Sequence, residues 1–233
     1  ADELEGAKDF NAALHDLVVR EIKAHKRIIF NGNNYAPEWA EEAEKRGLLN
    51  LKNAAEALPH FADKKNIELF ERNKVFTARE VVTRTDIMLE NYSKVLNIEA
   101  LTMIDMAKQD IYPAVEGYIS SLCGALKEKK GTLPGVSFPA QERMIAKLAS
   151  DAERMLERAE MLDSLLVESK AYESPAKLAL FFAEKVIPVM QELRAYADGM
   201  ELNTAASVWP FPTYGEKVGG QAVLGRQLIK ATP

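Results

Sequence analysis

Three histidines, one cysteine and a row of carboxylates are the side chains of this 233-residue sequence that could carry chemistry. Asp86, Glu90, Glu99, Asp105 and Asp110 share one predicted long helix, where carboxylates can pair as acid and base or hold a divalent cation. A helical di-metal site draws on Glu-x-x-His, and none accompanies them, so they read as a solvated, ion-paired face. Cys123 as a nucleophile would need a base beside it. His15, His25 and His60 all fall in the first 60 residues with no motif partner. The cysteine lies on the apolar side of the long helix and reads as a small core residue. One cysteine and three scattered histidines also leave no zinc-type cluster and no intrachain disulfide. Gly220 and Gly225 have the separation of a phosphate loop's glycines, but Arg226-Gln227 stands where Lys-Ser/Thr must reach the phosphates. Asn91-Tyr92-Ser93 fits a glycosylation sequon, yet it lies inside a predicted helix.

Such groups would have to be positioned by helices. Between residues 2 and 27, Leu4, Ala7, Phe10, Leu14, Leu17, Val18 and Ile22 recur at steps of three and four, the spacing of an amphipathic helix. Ile28-Ile29-Phe30 favours extended backbone, and Asn31-Gly32-Asn33-Asn34 favours a turn because an Asn-Gly pair tolerates positive φ. Pro37 opens a helix that Gly47 terminates, near 37–46. Residues 48–63, with Pro59, read as a loop containing one helical turn, and a short helix follows around 64–73.

Thr77-Ala78-Arg79-Glu80 matches the capping box and starts a long helix. Its apolar series, which includes Val81, Met88, Leu89, Val95, Leu96, Leu101, Ile104, Ile111, Val115 and Ile119, is interrupted only by Pro113, which should kink or divide it. Lys127 to Pro139 is the clearest loop. Ile145, Leu148, Ala152, Met155, Ala159, Leu162 and Leu166 then form a near coiled-coil seam facing an antiparallel neighbour. Ser174-Pro175 caps a last helix, kinked at Pro188 and ending before Gly199. The expected fold is all-α: an irregular antiparallel helical bundle with long kinked helices and an extended C-terminal tail. Its expected parts are 1–76 (first helix, turn and short helices), 77–199 (the long-helix bundle) and 200–233 (the aromatic tail).

Apolar residues make up 47% and charged residues 28%, and the formal net charge is -5. These are values of a folding globular chain, not of a disordered one. Basic residues are interleaved with acidic ones, so the sequence carries no nucleic-acid footprint. With no long apolar run and a polar, acidic start, no membrane span or secretory signal is expected and the chain reads as cytoplasmic.

Two features are not absorbed by helix packing. One is Asn31, Gly32, Asn33 and Tyr35 with Trp39 nearby; the other is Trp209, Phe211 and Tyr214 on a nonhelical tail. Tryptophan and tyrosine offer large apolar area with one hydrogen-bonding group, which suits a buried interface. Docking of the tail on the chain's own core is the equal alternative.

Those segments also carry a family likeness. Arg27-Ile28-Ile29-Phe30-Asn31-Gly32-Asn33-Asn34-Tyr35, Glu38-Trp39, the run from Glu42 to Leu48, Leu51-Lys52, Ala57-Leu58-Pro59, Glu90-Asn91-Tyr92, the run from Asn97 to Met103, Ala107-Lys108 and the run from Trp209 to Gly215 stand in an order that resembles the C-terminal helical region of type III glutamine synthetases. The resemblance spans about residues 1 to 215. It implies a parent enzyme that condenses glutamate with ammonia at the expense of ATP, through a γ-glutamyl phosphate, with magnesium or manganese bound. It implies no cofactor in this chain, because those ligands belong to a preceding catalytic domain and no position here matches a catalytic residue. It further implies partners in that catalytic domain of the same polypeptide and in neighbouring subunits of a ring-based oligomer. The end departs from the family, whose chains stop soon after Tyr214-Gly215, and residues 216–233 are assigned no function. The reading from a different class is a free-standing helical interaction module that grips a partner with its aromatic tail.

Overall fold

A computed structural model describes residues 3–212 of the chain. Among the described residues there are helices and turns and no strand. The chain divides into two compact units after Lys52. The expected boundary at 76 falls inside the second unit, because Ala55 and Leu58 pack with Leu89 and Ala179 of later helices.

In the first unit α1 (Phe10–Ala24) begins where Asp9 caps it, its carboxylate accepting from the Ala12 N–H at 3.1 Å. This start is later than the periodicity indicated, since residues before the cap are in turns. Ile28-Ile29-Phe30 makes no strand; a 3-10 turn, Lys26–Ile28, follows α1 and the chain then extends. β-favouring side chains form a ladder only against a neighbouring strand, and the described residues offer none. α2 (Pro37–Lys45) opens on Pro37 and ends in a Schellman motif: Gly47 takes φ +75°, the Gly47 N–H donates to Glu44 O, and Leu48 N–H to Ala43 O.

The second unit starts with α3 (Ala54–Ala57), capped by Asn53, then a 3-10 turn Leu58–Ala62 and α4 (Lys64–Arg72). α5 (Ala78–Asp105) opens on the expected capping box. The Glu80 carboxylate accepts from the Thr77 N–H at 2.8 Å, and Thr77 Oγ1 accepts from the Glu80 N–H at 3.3 Å. The bond from the Thr77 N–H, and after it the Thr77 hydroxyl donating to the same carboxylate at 2.8 Å, hold the Glu80 carboxyl below its ordinary 4.5. A carboxylate whose pKa is depressed by folding stabilises the fold above its unfolded value, and that contribution fades as pH falls through the folded value. Thr77→Ala is expected to lower stability by about 1 kcal/mol at neutral pH. It should also flatten the loss of stability on acidification below 4.5, and thermal unfolding followed across that range checks both effects.

Neither proline breaks its helix. After α5 comes a π-helical turn, Met106–Ile111, and then α6 (Tyr112–Thr132), with the Tyr112 N–H donating five residues back to Ala107 O. After α7 (Pro139–Ser169) and α8 (Pro175–Phe181) a second π turn, Phe182–Val186, leads into α9 (Ile187–Asn203), with Ile187 N–H donating to Phe182 O. Pro113 and Pro188 stand one residue beyond these turns, after Tyr112 and Ile187. A proline ring collides with the carbonyl four residues earlier and has no N–H for it, and the wider π turn relieves the collision while the helix continues.

α7 is the central helix, packed against α9, α6 and α5. Its seam is the one read from the spacing: Leu148, Ala152, Met155, Ala159, Leu162 and Leu166 are buried in one cluster with Val115, Phe182, Val186 and Leu193. Polar pairs give the directions. Lys130 meets Glu142 at 2.5 Å and Lys108 meets Asp163 at 2.5 Å, so α7 runs antiparallel to α6. Arg158 meets Glu192 at 3.1 Å and Gly199 lies beside Asp151, so α9 runs antiparallel to α7. α9 passes through Gly199 instead of ending before it, because Met200, one residue on, is fully buried and repays the glycine's weaker helix preference. Among the described residues, no helix is long and apolar enough to cross a membrane.

Candidate functional site

Asn31, Gly32, Asn33, Tyr35 and Trp39 belong to a small knot tied by Arg46. Arg46 donates from Nη1 to Ile29 O at 2.6 Å and from Nε to Glu42 Oε1 at 2.7 Å, and its guanidinium lies 5.9 Å from the ring centroids of both Phe30 and Trp39. The two rings are 4.5 Å apart, so the cation closes a packed pair. The expected positive-φ Asn-Gly turn is absent: Gly32 is not among the residues with positive φ, and the turn lies at Asn33, whose side chain accepts from the Tyr35 N–H at 3.0 Å. Glycine is needed at 32 for space, because a Cβ there would meet the Phe30 ring at 2.6 Å. Gly32→Ala is therefore expected to push Phe30 off Trp39 and destabilise the knot by about 1–2 kcal/mol. A red-shifted Trp39 emission with a lower unfolding midpoint is the measurement. The knot leaves Tyr35 98% exposed, its whole ring presented to the surroundings.

α1 contributes a surface that the spacing showed but that was not read as a site. Phe10, Leu14, Val18 and Ile22, four residues apart, are 38–55% exposed, and no residue of α1 is buried. The signal was the stripe itself: an amphipathic helix whose apolar face finds no core points to an interface. α5 is similar on its outer side. Leu89, Ala100 and Ile104 are buried, yet Ile87, Val95, Ile98 and Leu101 are exposed on the opposite side. Val95 and Leu101 belong to the apolar series that marks the helix, and they lie outside the core because the helix is apolar on two faces and, among the described residues, only one is buried. Cys123 is likewise exposed, not a core residue: the buried positions of α6 are Val115 and Ile119, and Cys123 lies in an outer groove between α6 and α7 beside Glu142 and Ile145.

Trp209 is 8% exposed and packs on the main core cluster with Phe211 beside it, which is the internal docking that the sequence allowed as an alternative. Trp209 is brought there by a turn in which its N–H donates to Ala205 O at 3.1 Å. Tyr214 lies outside the described residues. Between Trp209 and the helices a cavity of about 480 Å³ remains, floored by Ile111 and Leu193. The acidic row does not converge. Glu90 pairs with Lys94 at 2.9 Å and Asp105 accepts from Gln109, each within its own helix. Among the described residues no three His, Cys, Asp or Glu side chains come together as metal ligands.

A family profile described as "Glutamine synthetase C-terminal domain" matches residues 13–130. The chain is 35% identical over 204 residues to a "Glutamine synthetase" of Butyrivibrio fibrisolvens, covering 86% of this chain and 29% of that protein. It is 30% identical over 217 residues to the "Type-3 glutamine synthetase" of Dictyostelium discoideum, covering 89% and 28%. A "Glutamine synthetase" of Bacteroides fragilis (strain YCH46) is 25% identical over 208 residues, covering 88% and 28%. The chain thus spans under a third of the length of the curated relatives it matches.

Proposed function

Because the chain belongs to the glutamine synthetase C-terminal domain family, we propose that it is the non-catalytic helical assembly region of a type III synthetase, docked through the apolar stripe of α1 on the catalytic part of the same polypeptide. The parent reaction would be glutamine formation from glutamate, ammonia and ATP in the cytoplasm, with magnesium or manganese and the nucleotide held outside this chain. That placement of the metal is supported by the acidic side chains of the described residues, which do not gather into a group that could hold a metal ion. Neighbouring subunits are further partners, and Tyr35, projecting from the Arg46 knot, is the residue on the first unit suited to reach one.

The observation that carries this reading is the α1 stripe: four large apolar side chains on one helical face, all exposed among the described residues. A soluble domain rarely keeps such a row unless another surface covers it. The free-standing interaction module relied on the aromatic tail, and Trp209 is already engaged with the chain's own core. The test is turnover. The purified chain, given ATP, glutamate, ammonium and magnesium, should form no glutamine, and measurable glutamine formation would overturn the assignment.

A further inference from the structure

The cavity under Trp209 has a chemistry of its own. Its apolar wall is lined by Trp209, Phe211, Met103 and Met106. Its charged rim is contributed by α9 as Arg194, Asp198 and Glu201, one to two turns apart on one side of the helix. Arg194 Nε donates to Asp198 Oδ2 at 3.4 Å, a long and exposed contact that is worth little. Among the described residues, two carboxylates against one guanidinium leave the rim net negative. Aromatic faces and polarizable sulfur favour a cation over an anion, and a volume near 480 Å³ suits a small ligand or one long side chain.

We propose that this cavity is a binding site for an organic cation with an apolar stem, an alkylammonium or guanidinium group. The stem lies against Trp209, Phe211 and the two methionines, and the charge is held between Asp198 and Glu201. The same chemistry is offered by a free amine and by a lysine or arginine side chain of a partner protein.

The experiment uses the full chain carrying Trp39→Phe, which leaves Trp209 as its single indole. Hexylammonium, hexanol and hexanoate are titrated while Trp209 emission is followed. Saturable binding of hexylammonium is expected, with hexanol at least about tenfold weaker and hexanoate weaker still. Asp198→Asn with Glu201→Gln should weaken hexylammonium by about tenfold and leave hexanol unchanged. Glu192→Gln, which alters a carboxylate outside the cavity, should leave all three unchanged. Equal binding of hexanol and hexylammonium, or amine binding indifferent to the double substitution in a protein with unchanged helicity, would overturn the site. A capped Leu-Lys-Leu peptide separates the sources. Binding tighter than hexylammonium assigns a protein side chain, weaker binding assigns a free amine, and both support a cation site.

Discussion

Phe182→Ala is expected to lower the stability of the helical unit by about 3–5 kcal/mol, the cost of a large buried side chain and the cavity it leaves. Phe182 is 2% exposed and heads the second π turn, its ring edge-on to Phe181 at 6.3 Å. Phe181 stacks in turn on Tyr172 at 4.8 Å, so the loss would loosen three aromatic rings that pack beside α7. The urea midpoint should fall with an unchanged slope. Leu202→Ala is the control: at 87% exposure it should change stability by less than about 0.5 kcal/mol. A loss under about 1 kcal/mol for Phe182→Ala would show that the π turn collapses into the space.

Leu14→Asp with Val18→Asp separates packing within the chain from packing against something else. In this chain alone both positions are exposed, and the change should cost about 1 kcal/mol through helix preference. In a full-length synthetase carrying this domain the same pair would place two carboxylates in an apolar contact, a penalty of several kcal/mol. Assembled enzyme by sedimentation and glutamine formation should both fall by at least about tenfold. An intact, active assembly with both aspartates would remove α1 as the docking face.

Much of the helical plan is legible in the residues. The Thr77 to Glu80 cap, the Gly47 terminator and the α7 seam act through local bonding or strict periodicity, and each appears where the pattern places it. What the pattern hid were outcomes decided by neighbours. Apolar spacing shows that α5 is hydrophobic without showing which of its two faces meets the core, so the exposure of Val95 and Leu101 could not be read from it. Likewise, an Asn-Gly pair signals a turn, but the need at Gly32 arises from the Phe30 ring lying over it. Gly199 signalled a helix end, and the burial of Met200 outweighed it. The α1 stripe is visible as a pattern, yet its exposure among the described residues is something no spacing can reveal.

The two π turns bear on how this domain can vary among its relatives. A hydrogen bond closed five residues back encloses one residue more than an α-helical turn, so each π turn is an added residue held inside a continuous helix. Removing that residue alone would return Pro113 or Pro188 to a collision with the preceding turn and rotate Val115 or Val189 away from α7. The extra residue and its proline should therefore be inherited together or lost together. A relative without the proline would carry a one-residue gap within the helix itself, where alignments ordinarily place none.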